Sequence, residues 1–182
     1  MVPPASSTPR TDILNALHIT PRSLIGAITS ESGGLVLYNG WLRILGGGGR
    51  TNLTRDIGSW NKHRLKNAYL IGDDIMGGFF AVNSGFFGAR LGAIYYWSPD
   101  THEWESLDIM YSDFVYTMLQ EEQFFTFYES MLWSGWRQVV DKLAITGDDC
   151  IALSPALVIP GMPIAARDMV KITAGEAWKF VQ

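Results

Sequence analysis

Residues 71–105 read IGDDIMGGFFAVNSGFFGARLGAIYYWSPDTHEWE. Short apolar runs alternate with turn residues and no 3.6-residue periodicity runs through them, which predicts a β-meander. Strands are expected at Tyr69–Ile71, Gly78–Val82, Ala93–Trp97 and Trp104–Leu107. Asn83-Ser84-Gly85 and Ser98-Pro99-Asp100 supply turns, because these residue types either accept unusual φ values or hydrogen-bond their own backbone. Working outward, Leu35–Tyr38 and Trp41–Leu45 read as two further strands. Asn39-Gly40 between them is the signature of a two-residue type I′ hairpin.

Helical character surrounds this sheet. Upstream, Asp12–Leu17 and Ser23–Ser30 predict two short helices, the first with Thr11 as N-cap. Downstream, Ser112-Asp113 reads as a helix cap followed by a first-turn acid. Phe114, Val115, Met118 and Leu119 then form an apolar stripe, and further helix follows as far as Leu143. Arg55–Lys66 is a loop or a surface helix. Pro155, Pro160 and Pro163 make the segment around Ile151–Ile159 an edge or a wrap. One more short helix is expected near Glu176–Val181. The 182 residues, 47% hydrophobic and 18% charged, suit one α+β domain over 11–182 behind a Pro- and Ser-rich lead-in over 1–10. The predicted sheet has about five to six antiparallel strands, packed against C-terminal helices.

Composition argues against several function classes. The net charge of −4 gives no basic footprint, so no nucleic-acid partner is expected. MVPPASSTPR has no apolar core of a secretory leader, and no apolar stretch reaches the ~20 residues needed to span a bilayer. The expected compartment is the cytoplasm, with no membrane contact. Cys150 is the single cysteine, read as buried and reduced. His18, His63 and His102 are far apart, and neither a metal site nor a cofactor is expected.

Asp73-Asp74, followed by Gly77-Gly78, admits two readings. The pair either holds a cation or does acid–base work, or it caps a turn. Adjacent strand residues face opposite ways, so the carboxylates should not converge, and the turn reading is preferred. Gly46–Gly49 with Arg50 and Thr51 lacks the Gly-Lys-Ser/Thr ending of a phosphate loop and reads as a connection. Asp148-Asp149 reads as a solvated turn. Arg55, Lys62, His63, Arg64 and Lys66 around Trp60 read as a solvated face. Most Trp residues should be core, with one or two exposed as anchors for a partner.

Three segments carry a family resemblance: TSESGGLVLYNGWLRILGGG (29–48), SWNKHRLKNAYLIGDDIMGGFFAVNSGFF (59–87) and AIYYWSPDTHEWESLDIMYSDFVYTML (93–119). Through Gly33, Gly34, Trp41, Arg43, Asp73, Asp74, Gly77, Gly78, Asn83 and Trp104 the chain resembles an uncharacterised bacterial family of unknown function. In order of elements it is similar to the SUKH superfamily. That resemblance implies a bent antiparallel sheet between helices and a non-enzymatic, protein-binding role, with another protein as partner. Many such domains are immunity proteins that block a toxin; others are regulatory scaffolds. Relatives carry a further helix upstream of the segment matching Val2-Pro3-Pro4, which implies that this chain is a shortened form. A different class stays open beside these, a small-ligand binder or enzyme using the acidic turn at Asp73 and Asp74. The ten residues named above are the candidate site, with no catalytic residue among them.

Overall fold

The structure is a computed structural model that describes residues 10–17, 19–49, 52–88 and 90–181. The lead-in before Arg10, His18, Arg50 and Thr51 lie outside the described residues. Six strands form one open antiparallel sheet in simple sequence order: β1 (Gly34–Leu37), β2 (Leu42–Leu45), β3 (Ala68–Asp74), β4 (Phe79–Asn83), β5 (Ala93–Ser98) and β6 (Glu103–Met110). The α+β expectation is met, with β3 running through both aspartates.

Two local expectations are corrected. The β1–β2 connection has four residues, Tyr38–Trp41, and Leu37 faces Leu42. Tyr38 and Asn39 both take positive φ (50° and 54°). The reason lies outside the hairpin: the Tyr38 ring stacks on Phe124 at 3.7 Å and its hydroxyl donates to the Met118 carbonyl at 3.0 Å. Neither predicted cap holds. Thr11 lies inside α1 (Arg10–Ala16), and Ser112 lies inside α4 (Tyr111–Leu119), whose N-cap is Met110.

Side-chain alternation gives the sheet two different faces. On one, Phe80 and Tyr96 meet Phe114 of α4 and Phe127 of α5 (Glu121–Phe127). Trp41 is fully buried there, 5.0 Å from Trp136 of α6 (Trp136–Lys142) and 5.5 Å from Tyr128. The other face is covered on its β2–β4 side by a separate hairpin, β7 (Asp149–Ser154) with β8 (Asp168–Thr173). The second strand of that hairpin is exposed at four of its six positions and had no sequence expectation. Ile151 N–H donates to the Ile75 carbonyl at 2.6 Å, tying the hairpin to the end of β3. Trp178, just after α7 (Ala174–Ala177), packs edge-on to Phe79 at 5.1 Å.

Candidate functional site

The cross-strand register places one row across the hairpin-covered face: Arg43 of β2, Asp73 of β3, Phe79 of β4, Trp97 of β5 and Trp104 of β6. Its charged end is sealed. Arg43 and Asp73 are 0% exposed, and Arg43 Nε donates to Asp73 Oδ1 at 2.7 Å. Arg55 reaches the other oxygen of the same carboxylate, Oδ2, at 2.5 Å, and Asp148 Oδ1 at 2.9 Å. The Arg43 guanidinium continues to the Gly40 carbonyl at 3.2 Å and to Cys150 Sγ at 3.2 Å. Two arginines therefore share one buried carboxylate, and Asp148 from the loop before β7 supplies the second anion. A charge this deep persists only when paired and hydrogen-bonded.

Burial works against the Arg43 charge, yet Asp73, backed by Cys150 and Asp74, raises its pKa. Burial pushes the Cys150 thiol up to about 11, more than the nearby Arg43 lowers it. Burial also opposes the Asp148 charge, but Thr54 and Arg55 outweigh it and hold that carboxyl below its usual range. Two sequence expectations are corrected here. Asp148 is not a solvated turn residue, because it accepts from Thr54 N–H at 2.8 Å as well as from Arg55. In the segment around Trp60 the solvated reading holds for Lys62, His63 and Lys66, which are exposed, but not for Trp60, Arg55 and Arg64: Trp60 is buried, with the guanidiniums of Arg55 and Arg64 at 4.4 and 3.6 Å from its ring.

Asp74 points to the opposite face. Its Oδ1 accepts from the N–H groups of Met76 and Gly78, both at 2.9 Å. Its Oδ2 accepts from the Tyr96 hydroxyl at 2.7 Å and the Tyr128 hydroxyl at 3.1 Å. Burial raises the Asp74 pKa, and Tyr96, Gly78 and Arg43 offset only part of that. Burial and Asp74 together push both tyrosine hydroxyls well above their usual value. The glycines that follow are geometric necessities: Gly77 takes φ +84°, and a Cβ on Gly78 would overlap both the Tyr96 hydroxyl and Asp74 Oδ2. The two aspartates do not converge, as alternation requires.

The remaining candidates are also structural in placement. Asn83 Oδ1 accepts from Gly85 and Phe87 N–H at 2.9 and 3.1 Å, closing the β4–β5 turn. Gly34 takes φ +124°, and a Cβ there would meet the Ile44 carbonyl at 2.6 Å; Gly33 beside it is buried. Of the ten, only Gly77 and Trp104 are not buried, and Trp104 is the one with a side chain at the surface. Phe87 stacks on Tyr95 at 4.0 Å and 7°, Trp104 lies 5.1 Å from Phe87, and Trp97 lies 5.9 Å from Trp104. All four rings are half-buried, and exposed Phe86 and His102 extend the row at either end.

A cleft of about 730 Å³ opens elsewhere, among α1, the glycine loop and α3 (Ile57–Asn61). None of the ten candidate residues lines it. Among the described residues no group of His, Cys, Asp and Glu is placed to hold a metal ion, and no helix is long and apolar enough to cross a membrane. Sequence reasoning missed Arg55, Tyr96, Tyr128 and Asp148 as members of the clusters. The available signal was Arg43, an arginine inside the apolar run WLRIL, which demands a buried anion; the identity of its partners depends on contacts up to 107 residues apart.

A family model described as "Protein of unknown function DUF2625" matches residues 1–174. The chain belongs to that family. It is 37% identical over 170 residues to the putative uncharacterized protein YbfG of Escherichia coli (strain K12), covering 92% of this chain and 76% of YbfG. It is 33% identical over 151 residues to an uncharacterized protein of Haemophilus influenzae, covering 79% of this chain and 64% of that protein. No solved structure matches the chain.

Proposed function

We propose that this DUF2625 chain is a non-enzymatic protein-binding module of SUKH type, acting as an immunity protein that occludes a toxin's effector domain in the cytoplasm. The reading is carried by the closure of the groups that most invited chemistry. Arg43, Asp73 and Asp74 are 0% exposed and fully engaged with one another's neighbours, turn amides and tyrosine hydroxyls. They offer no free atom to a ligand arriving from solvent. The groups left at the surface are large rings on a sheet face, the residue types that dominate protein–protein affinity. Exposed Tyr116, Leu119 and Leu91 add apolar surface beyond that row.

The test is reconstitution. The chain and the product of the gene beside its own are purified, mixed and sized by light scattering, and the neighbour is expressed alone and with the chain in growing cells. A stoichiometric complex is expected, with growth arrest by the neighbour relieved by the chain. Trp97→Ala with Trp104→Ala should weaken the complex at least tenfold with the fold intact. Turnover of a small substrate by the purified chain, lost in an Asp73→Asn variant that still folds, would refute the reading.

A further inference from the structure

Charge is distributed very unevenly along this chain. Residues 91–136 contain eight carboxylates and no Lys or Arg, so the rest, with ten carboxylates and fourteen basic residues, is net positive by four. The acidic block is β5, β6, α4 and α5, which are consecutive and adjacent in the fold. Seven of its eight carboxylates are exposed: Glu103, Glu105, Asp108, Asp113, Glu121, Glu122 and Glu129.

At the centre of this block lies an unpartnered sheet edge. β6 is the last strand of the sheet, and among the described residues no strand pairs with its outer side. It is unusually open for an eight-residue strand, with five exposed and three half-buried positions. Edge strands present unpaired N–H and C=O groups and are normally blunted by lysines, prolines or bulges. Here the register with β5 runs regularly from Glu103 to Ser106 and then breaks, pairing next at Met110, with Asp108 at φ +57° in the break. The blunting device protects only the far half. The near half, Glu103–Ser106, is a straight edge with neither lysine nor proline.

That short edge has a definite chemistry. Alternation sends Trp104 and Ser106 to the face of Trp97 and Tyr95, and Glu103 and Glu105 to the other. Neither glutamate forms an ion pair among the described residues. A strand added here would set its alternate side chains opposite the two carboxylates, and the intervening ones against the Trp104 ring. We infer, resting on the protein-binding reading above, that β6 over Glu103–Ser106 is a strand-addition site. Its occupant is an extended segment of a partner protein with Lys or Arg at every second position and apolar residues between. Main-chain bonds hold the segment, while the carboxylates select its sign and speed its encounter.

The probe is a synthetic ten-residue peptide alternating Lys with Val, compared with one alternating Glu with Val. Binding to the whole chain is followed by calorimetry at low and high salt, and amide hydrogen exchange is read with and without peptide. The Lys peptide should bind, weaken with salt and slow exchange within Glu103–Ser106 but not in β1, the opposite edge. The Glu peptide should not bind. E103K/E105K, at two exposed positions and checked for an unchanged melting temperature, should lower affinity for the Lys peptide at least tenfold; E103Q/E105Q should give an intermediate loss. The assignment is overturned by no binding, by binding without protection at 103–106, or by affinity indifferent to E103K/E105K. It is also overturned if E103Q/E105Q merely self-associates while still binding the peptide as before, since the glutamates would then only guard the edge. A reconstituted complex with the neighbouring gene's product that survives E103K/E105K would sink the edge site and leave the module reading standing. Peptide addition at β6 with no protein complex would do the reverse.

Discussion

Asp74 is the position where structure makes the sharpest quantitative demand. Replacing it with Ala leaves four buried donors facing nothing: the N–H groups of Met76 and Gly78 and the hydroxyls of Tyr96 and Tyr128. An orphaned buried donor costs about 1–3 kcal/mol. The two amides cannot turn away, since they belong to the tight turn, so they alone cost about 2–6 kcal/mol. Tyr96 keeps only the Met131 sulfur at 3.8 Å as an alternative. The full loss is at least ~4 kcal/mol, a large share of a typical domain's 5–15 kcal/mol or so. Asp74→Asn behaves differently. Its carbonyl retains both amides, its NH₂ donates to the two hydroxyls, and the cost stays under ~1.5 kcal/mol. The pair also separates by pH. The folded pKa of Asp74 is raised, so the native state holds a proton that the unfolded state has released. Its contribution is therefore complete below the unfolded value near ~4 and is lost as pH rises toward the folded pKa. Urea denaturation of wild type, Asp74→Ala and Asp74→Asn at a series of pH values measures both effects. Asn should remove that downward slope. Equal stability of Ala and Asn within ~1 kcal/mol would refute the argument, as would an Asn variant that keeps the wild-type pH slope.

Three further outcomes follow from the same geometry. Asp73→Asn strips the shared anion from Arg43 and Arg55 and should cost about 3–5 kcal/mol in chemical denaturation; an effect below ~1 kcal/mol would mean that water reaches the pair. Gly78→Ala drives a methyl group into the Tyr96–Asp74 contact and should lower stability by roughly 1–3 kcal/mol, read as a fall in melting temperature, with Gly175→Ala, whose Cβ would meet only the Thr173 Oγ1 at 3.7 Å, as the comparison. Cys150, 0% exposed with its thiol pKa pushed up to about 11, should resist iodoacetamide at pH 8 while folded and react fully in denaturant. Rapid labelling of the native protein would contradict its burial.

The meander was legible because strand period and turn chemistry are local properties: FFAVN, AIYYWS and their Asn-, Gly- and Pro-bearing turns set strands and direction with few alternatives. The divergence of Asp73 and Asp74 was equally local, since successive strand residues must face opposite sides. What each aspartate meets was not local. Arg43 is 30 residues from Asp73, and Tyr128 is 54 from Asp74. Asp148 and Arg55 looked solvated because isolated charges usually are, and it is their contact with each other and with Asp73, from distant parts of the chain, that draws them from water. β8 itself escaped notice because DMVKIT is largely exposed and lacks period-2 alternation, so that pairing with β7 stabilises it more than its own pattern does. The sequence by itself determined the order of elements and which residues bend the chain. Tertiary structure decided which charges are sealed inside and which strand edge and rings are left facing water, because burial is a property of what packs from elsewhere in the chain.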